Sequence, residues 1–273
     1  NHGVVIASDN LFDAFKIFET LEFGARLEIN SNILGTPRSL TAEDYEVAKN
    51  TQLPPELSDY HDHIISSYEK RERTKMCGLV KRAYQQRLFS STQGTYSCRI
   101  DKDTFIITPF DMDRMYLEPS DIVAIKNGKR EQGKIPSRSV RLHEEIYKKH
   151  PEINSVIIAY PPNVMAFNIT GQEFDSRIIP ESYIMLRDIP RLPFSTAYSD
   201  PKAVADTINE STPVVMIQNS CLVTTGVSQL QAFDRLEVAE FSAKALIFSK
   251  QLGDIVKITP EQVEEINESF HLK

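Results

Sequence analysis

The most constraining feature of this sequence is a repeat. Residues 1 to 29 and 219 to 247 align without a gap, and six of the nine identical positions fall within residues 14 to 25. The identical pairs are Asn1/Asn219, Val5/Val223, Ala14/Ala232, Phe15/Phe233, Glu19/Glu237, Glu22/Glu240, Phe23/Phe241, Ala25/Ala243 and Ile29/Ile247. A repeat with a period close to the length of a domain indicates tandem domains. We therefore interpret residues 1–30 as the C-terminal strand and helix of an upstream copy, 31–58 as a linker and 59–273 as a complete second copy.

Composition excludes several classes of protein. The chain is 41% hydrophobic and 25% charged, which is ordinary for a folded globular protein. No apolar run approaches the ~20 residues of a membrane span. A net charge of -7 gives no general attraction to nucleic acid or to an anionic membrane, so neither is expected as a partner. Three cysteines without metal-ligand spacing indicate reduced thiols and a cytoplasmic protein.

Local patterns predict an α/β fold in which helices cover both faces of a sheet. Strands are predicted at 4–7, 95–100, 104–108, 122–126, 155–160, 214–218 and 222–225, with turns at 101–103 and 127–128. Helices are predicted at 10–30, 39–49 with Thr41 as N-cap, 59–88, 139–150, 201–210, 228–252 and from Thr259 onward. Within 59–88, the predicted inward positions are Ile64, Tyr68, Leu79, Ala83 and Leu88. The run Lys70-Arg71-Glu72-Arg73 alternates in charge and is interpreted as a solvated face.

Several blocks between about residues 60 and 252 resemble, in the same order, the class II aldolase/adducin family, which includes metal-dependent enzymes of sugar phosphates. Residues 91–97, Ser-Thr-Gln-Gly-Thr-Tyr-Ser, are similar to its Gly-Thr-Ser-Gly-Asn-hydrophobic-Ser loop. Residues 106–109 and 117–123 resemble its Ile-Thr-Pro and Leu-Thr-Pro-Glu-Asp-Leu-Val stretches, and 142–147 resemble its Leu-His-x-x-Ile-Tyr helix. The resemblance implies three layers, with a central, mostly antiparallel sheet between helices.

The same resemblance implies that the second copy has lost its chemistry. The family holds a divalent metal with three histidines, which polarises a carbonyl while a glutamate moves a proton. Its His-Thr-His aligns with Ile158-Ala159-Tyr160, its Asn-His-Gly with Asn219-Ser220-Cys221, and its glutamate with Ser139. No cofactor is therefore expected in 59–273. His2, within Asn1-His2-Gly3, instead matches a ligand for zinc or another divalent metal in the upstream copy, with its partner histidines before residue 1.

The family's phosphate-binding loop is partly retained. The candidates for binding a small sugar phosphate are Thr92, Gly94, Thr95, Ser137 and Arg138. Phe110-Asp111 places bulk and negative charge where the family contacts phosphate. A retained anion pocket and a structural remnant of the loop therefore both stay open.

The remaining histidines favour structural roles. His61 and His63 form a His-x-His pair, but on a helix they would point to different faces, so a polar helix start is the simpler interpretation. His143 lies inside a predicted helix with no carboxylate pair or nucleophile beside it.

Three functions remain open. We favour a sugar-phosphate aldolase-like protein whose upstream copy holds the metal, while the copy seen here supports assembly with that domain or within a homo-oligomer. The alternative is a non-catalytic, adducin-like binding or scaffold domain. An enzyme acting through different residues has no specific support. A His-Thr-His motif encoded upstream of His2 would favour the first function, and its absence the second.

Overall fold

A computed structural model describes residues 2–61 and 63–272. Asn1, which pairs with Asn219 in the repeat, lies outside the described residues. The strands form one sheet in the order β1-β5-β4-β3-β2-β6-β9-β8-β7. They are β1 (Asp59–Tyr60), β2 (Thr95–Arg99), β3 (Thr104–Ile107), β4 (Val123–Lys126), β5 (Lys129–Glu131), β6 (Ser155–Ala159), β7 (Arg191–Leu192), β8 (Val214–Ile217) and β9 (Cys221–Gly226). All central pairs are antiparallel, and the two outermost pairs, β1–β5 and β7–β8, are parallel.

Helices cover both faces of this sheet, as predicted. They are α1 (Leu11–Leu34), α2 (Ala42–Asn50), α3 (Ser67–Gln85), α4 (Val140–Lys149), α5 (Pro162–Thr170), α6 (Pro180–Leu186), α7 (Thr196–Ser199), α8 (Pro201–Thr207), α9 (Gln229–Ser249) and α10 (Pro260–Ser269). Side chains alternate along β6, so that Ile157 and Ala159 join the apolar cluster under α3, α5 and α9, whereas Val156 and Ile158 join the cluster under α4 and α8. Two buried clusters on opposite faces define the three layers.

The N-terminal segment keeps its predicted helix but not its predicted strand. Residues 2–8 have no regular structure, and Val5 is 98% exposed, because no neighbouring strand pairs with this segment. Helix α1 begins after its N-cap Asn10 and runs beyond residue 30, with Ser31 and Leu34 buried. Within 31–58, the Thr41 cap is confirmed by a capping box with Asp44. The division into an upstream remnant, linker and domain stays a prediction.

Two helices of the repeat contact the C-terminal part of α3. In α9, the Glu237 carboxylate accepts hydrogen bonds from Arg82 at 2.7 Å and from Gln86 at 2.6 Å. In α1, the equivalent Glu19 accepts hydrogen bonds from the Tyr84 hydroxyl and the Ser91 backbone N–H, both at 3.0 Å. Helix α1 therefore packs on the domain as an integral part of its surface.

The predicted helix at 59–88 was wrong in its first turns. Asp59 and Tyr60 pair with the sheet edge at β5, and α3 begins only after its cap Ser66. Ile64 is consequently 89% exposed, while Ala83 is buried as predicted. The helical interpretation of the His-x-His pair fails for the same reason.

His61 and His63 lie in the connection before α3 instead, and Asp62 between them lies outside the described residues. His63 is within 2.8 Å of both the Tyr60 hydroxyl and the Glu69 carboxylate. His61 lies 2.8 Å from Gln132. Neither histidine belongs to a candidate metal cluster of the described residues.

Arg73 contradicts the prediction of a solvated charged face. Its side chain is 1% exposed and contacts the carboxylates of Glu69 at 2.6 Å and Glu131 at 2.8 Å. Its guanidinium also donates to the carbonyl of Ile122 at 2.5 Å. Burial alone would raise the pKa of Glu131, but hydrogen bonds from Lys134 and Arg73 lower it below its ordinary value. Arg73 therefore joins α3 to the β4–β5 edge through a buried ionic network.

In the part of the chain that the structure describes, no helix is long and apolar enough to cross a membrane. All three cysteines are free thiols: Cys98 and Cys221 are buried, and Cys77 is half-buried.

Candidate functional site

The candidate residues meet at one end of the sheet because of its antiparallel order. Thr95 at the start of β2 pairs with Ile158 near the end of β6. The start of β9 also lies against the end of β6, since Ala159 pairs with Leu222. Tyr160 and Ser220, which flank these strands, therefore lie at the same end as the loop that precedes β2.

All five predicted phosphate-binding residues, Thr92, Gly94, Thr95, Ser137 and Arg138, line a single cavity of about 170 Å³ together with Tyr160. Three buried hydroxyls bond to one another at its base. The Thr95 and Ser137 hydroxyls are 2.7 Å apart, and Ser139 lies 3.2 Å from each. The structure thus brings these residues together, whereas binding of a phosphate stays a prediction.

Arg114, which sequence reasoning missed, fixes the loop at 91–94. Its side chain donates to the carbonyl of Gly94 at 3.1 Å and to that of Thr92 at 3.1 Å, and it is 2% exposed. Burial lowers the pKa of Arg114 to about 10, so the guanidinium stays charged at neutral pH. Gly94 has φ 98°, and a Cβ there would overlap the ring of Phe89. The loop geometry is therefore imposed by Arg114 and by the absence of a side chain at 94.

The positions predicted to correspond to metal ligands carry no suitable donor set. Ile158 is 4% exposed and belongs to the same apolar cluster as Val140 and Val223. Burial raises the pKa of the Cys221 thiol to about 12, so it is not a thiolate at neutral pH. No group of three or more His, Cys, Asp or Glu side chains in residues 2–61 and 63–272 could hold a metal ion. These residues do not fit a divalent cation.

A guanidinium lies close to the positions that correspond to the ligands. Arg138 lines the cavity beside Tyr160, and its Cζ lies 5.8 Å from the centre of the Tyr198 ring. Burial would lower the pKa of Arg138, but the neighbouring Tyr160 and Tyr198 raise it above its ordinary value. No carboxylate of the described residues forms an ion pair with Arg138. The site therefore offers a fixed cation and a cluster of hydroxyls.

Asp111 is in the cavity wall, as its position in the sequence led us to expect. The backbone of Asp111 has φ 48°, and one oxygen of its carboxylate lies 3.2 Å from Nζ of Lys16 in α1. The ion pair is half-exposed, so it offsets the charge only in part. Helix α1 thus contributes a charge to the rim of the cavity.

The histidines do not contribute to this site. His2 is exposed in the segment before α1, and none of the described residues completes a metal site around it. His143 is fully buried, with Nδ1 2.6 Å from the Ser97 hydroxyl. Burial lowers the pKa of His143 to about 3, so the ring is neutral. Its structural role agrees with the sequence interpretation.

Comparison with known proteins places the chain in a family. Residues 74–247 match the family described as Class II Aldolase and Adducin N-terminal domain. An L-fuculose phosphate aldolase of Haemophilus influenzae is 28% identical over 67% of this chain and 86% of its own length. A 3-oxo-tetronate 4-phosphate decarboxylase of Cupriavidus necator is 26% identical over 51% of this chain and 65% of its own length. The fold is similar to YgbL from Klebsiella pneumoniae, a putative aldolase/epimerase/decarboxylase, with a TM-score of 0.63, 20% identity and coverage of 74% of this chain and 100% of that one. The chain therefore belongs to the class II aldolase and adducin N-terminal domain family.

Proposed function

We propose that this chain is part of a sugar-phosphate aldolase-like protein in which residues 59–273 form a catalytically silent copy and the metal centre belongs to an upstream copy. The observation that carries the proposal is the replacement of the metal-ligand set. Ile158 is packed in the core, and Tyr160 lies beside the Arg138 guanidinium in the cavity wall. The repeat supports the upstream copy, because His2 corresponds to Ser220.

The silent copy contributes structure in this proposal. Helix α1 contacts the domain through a hydrogen bond from the Ser91 N–H to Glu19 and an ion pair between Lys16 and Asp111, both close to the loop that precedes β2. The domain therefore offers a docking surface for the C-terminal helix of an upstream copy, within one protein or a homo-oligomer in the cytoplasm. The cavity at Arg138 is its proposed place for a small sugar phosphate.

Metal content tests this proposal directly. Elemental analysis of the 273-residue chain is expected to find no bound zinc, and a longer natural form with the upstream copy is expected to hold about one zinc per chain. In that longer form, His2→Ala should release the metal and abolish aldol cleavage, whereas Ser220→Ala should change neither. About one zinc per chain in the 273-residue form would overturn the proposal.

Restoring the histidines should not restore catalysis. In the triple variant Ile158→His, Tyr160→His and Ser220→His, the side chain at 158 still faces an apolar cluster, and Ser139 still lacks a carboxylate to move a proton. We expect no cleavage of L-fuculose 1-phosphate above background with added Zn²⁺. Circular dichroism establishes that the variant is folded, and measurable cleavage by it would contradict the claim that the base is also lost.

A non-catalytic, adducin-like scaffold is the second candidate. The exposed apolar side chains of α1 and α9 favour it, since Leu11 is 87% exposed and Phe241 is 63% exposed. Absence of metal from both the short and the long form would support this function over the first.

A further inference from the structure

A second cavity opens beside the one that contains Arg138. It has a volume of about 360 Å³ and lies between α1 and residues 84–93. Its apolar walls are formed by Phe15, Phe18, Phe23, Leu88 and Phe89. Leu88 and Phe89 belong to the buried core, so this wall is part of the fixed framework of the domain.

The two cavities share part of their lining. Gln93 and Tyr160 line both of them, so one side of each of these side chains faces the apolar cleft and the other faces the hydroxyl cluster. Together the cavities fall in the range of about 300–1,000 Å³ that is typical of small-molecule sites, which combine aromatic walls with a few polar groups. The two cavities therefore lie side by side, with Gln93 and Tyr160 between them.

The ends differ in polarity, although the larger end is also lined by Glu19, Glu22 and Arg87, whose charged groups are paired or hydrogen-bonded. The smaller end has the Arg138 guanidinium, without a carboxylate partner among the described residues, beside the Thr95 and Ser137 hydroxyls. The larger end has three phenylalanines of α1. A guanidinium with hydroxyl donors suits phosphate, and aromatic walls suit a hydrocarbon.

We propose that the two adjacent cavities bind an amphipathic phosphate monoester across Gln93 and Tyr160, with its phosphate at Arg138 and its apolar chain or ring between α1 and Phe89. This inference extends beyond the proposed sugar phosphate and does not depend on an upstream metal centre. The hydrogen bonds of Glu19 to Tyr84 and Ser91 hold α1 at the width of the cleft. The cleft is consequently a built site and not a gap between loosely packed segments.

Competition with a fluorescent probe tests the proposal on the whole chain. The protein contains no tryptophan, so anilinonaphthalene sulfonate, an aromatic anion, can be titrated with little intrinsic background. Methyl to octyl phosphate should displace it with an affinity that rises about four-fold per methylene until the chain fills the cleft. Affinity that does not depend on chain length would overturn the proposal.

Matched variants separate the two ends. Arg138→Met should weaken every alkyl phosphate by about ten-fold or more. Phe18→Ser should remove the chain-length dependence, whereas Leu11→Ser, on the same helix outside the cleft, should leave it unchanged. If Leu11→Ser acts like Phe18→Ser, the probe reports general apolar surface and the proposal fails.

The source of the phosphate is resolved with vesicles that contain phosphatidic acid. A free monoester is expected, so octyl phosphate should compete while the protein does not sediment with the vesicles. Sedimentation with vesicles that octyl phosphate does not reverse would indicate adsorption to a lipid surface and would overturn the assignment of the cleft.

Discussion

Replacing Arg73 with methionine is expected to lower the free energy of unfolding by about 3–5 kcal/mol. The arginine is almost fully buried between the carboxylates of Glu69 and Glu131, so its removal leaves two buried acids without their common partner. It also removes one of two charged donors to the Ile122 carbonyl, which then keeps only Lys134 at 3.0 Å. Urea denaturation of the wild type and the variant, followed by circular dichroism, measures the difference.

Arg71→Met is the matched control for this experiment. Arg71 is on the same helix, and its side chain is 69% exposed beside Glu72. Loss of an exposed pair of this kind changes stability by about 0–1 kcal/mol. Equal destabilisation by the two variants would show that charge on α3, and not the buried network, accounts for the effect.

Acidification should destabilise the domain through His143. Burial holds its pKa near 3 in the folded chain, whereas the unfolded chain protonates it near 6.5. The stability that depends on a neutral His143 ring is therefore fully present above pH 6.5 and is lost as pH falls toward 3. This difference between the folded and unfolded pKa corresponds to a loss of about 5 kcal/mol in the free energy of unfolding across that pH range.

The His143→Gln variant removes this titration while keeping a hydrogen-bonding group beside Ser97. The measurement is the free energy of unfolding at several pH values between about 7 and 4.5, within the window set by linkage. The slope of stability against pH should be shallower for His143→Gln than for the wild type, and exposed His61→Gln should keep the wild-type slope. Identical slopes in all three proteins would contradict the assignment.

Patterns set by neighbours in sequence were predicted well. The hairpin of β2 and β3 follows from the turn at 101–103, and the turn at 127–128 forms with φ of 50° at Asn127 and 73° at Gly128. The cap of α10 at Thr259 is present with its capping box. Each of these depends on a few adjacent residues, whose chemistry can be read without the rest of the chain.

Features that depend on distant partners were missed. The segment at 4–7 has strand-like residues but no strand beside it, whereas Asp59 and Tyr60 become a strand only because β5 lies next to them. The strand predicted at 155–160 ends at Ala159, and Pro162 begins α5, a helix that was not predicted. The absence of a backbone N–H is tolerated in the first turn of a helix, so a proline can begin α5 shortly after β6 ends.

In the candidate site, too, some features were predicted and those that depend on distant partners were missed. Five of the residues that line its cavity were predicted together, because the resemblance supplied their common role. The anchoring of the loop by Arg114 and the contact of Arg138 with Tyr160 were not predicted, since each joins residues that are far apart in sequence. The Lys16–Asp111 pair depends in the same way on α1 packing beside the loop.

The two glutamates that contact α3 set a limit on how this chain can change. Glu19 and Glu237 occupy the same position of the repeat, yet one bonds to Tyr84 and the other to Arg82 and Gln86. Helix α3 thus contacts both segments of the repeat, and a substitution on α3 has to preserve its packing against both α1 and α9. Because α3 has to fit two different helices, it is the part of the domain where we expect sequence drift to be slowest.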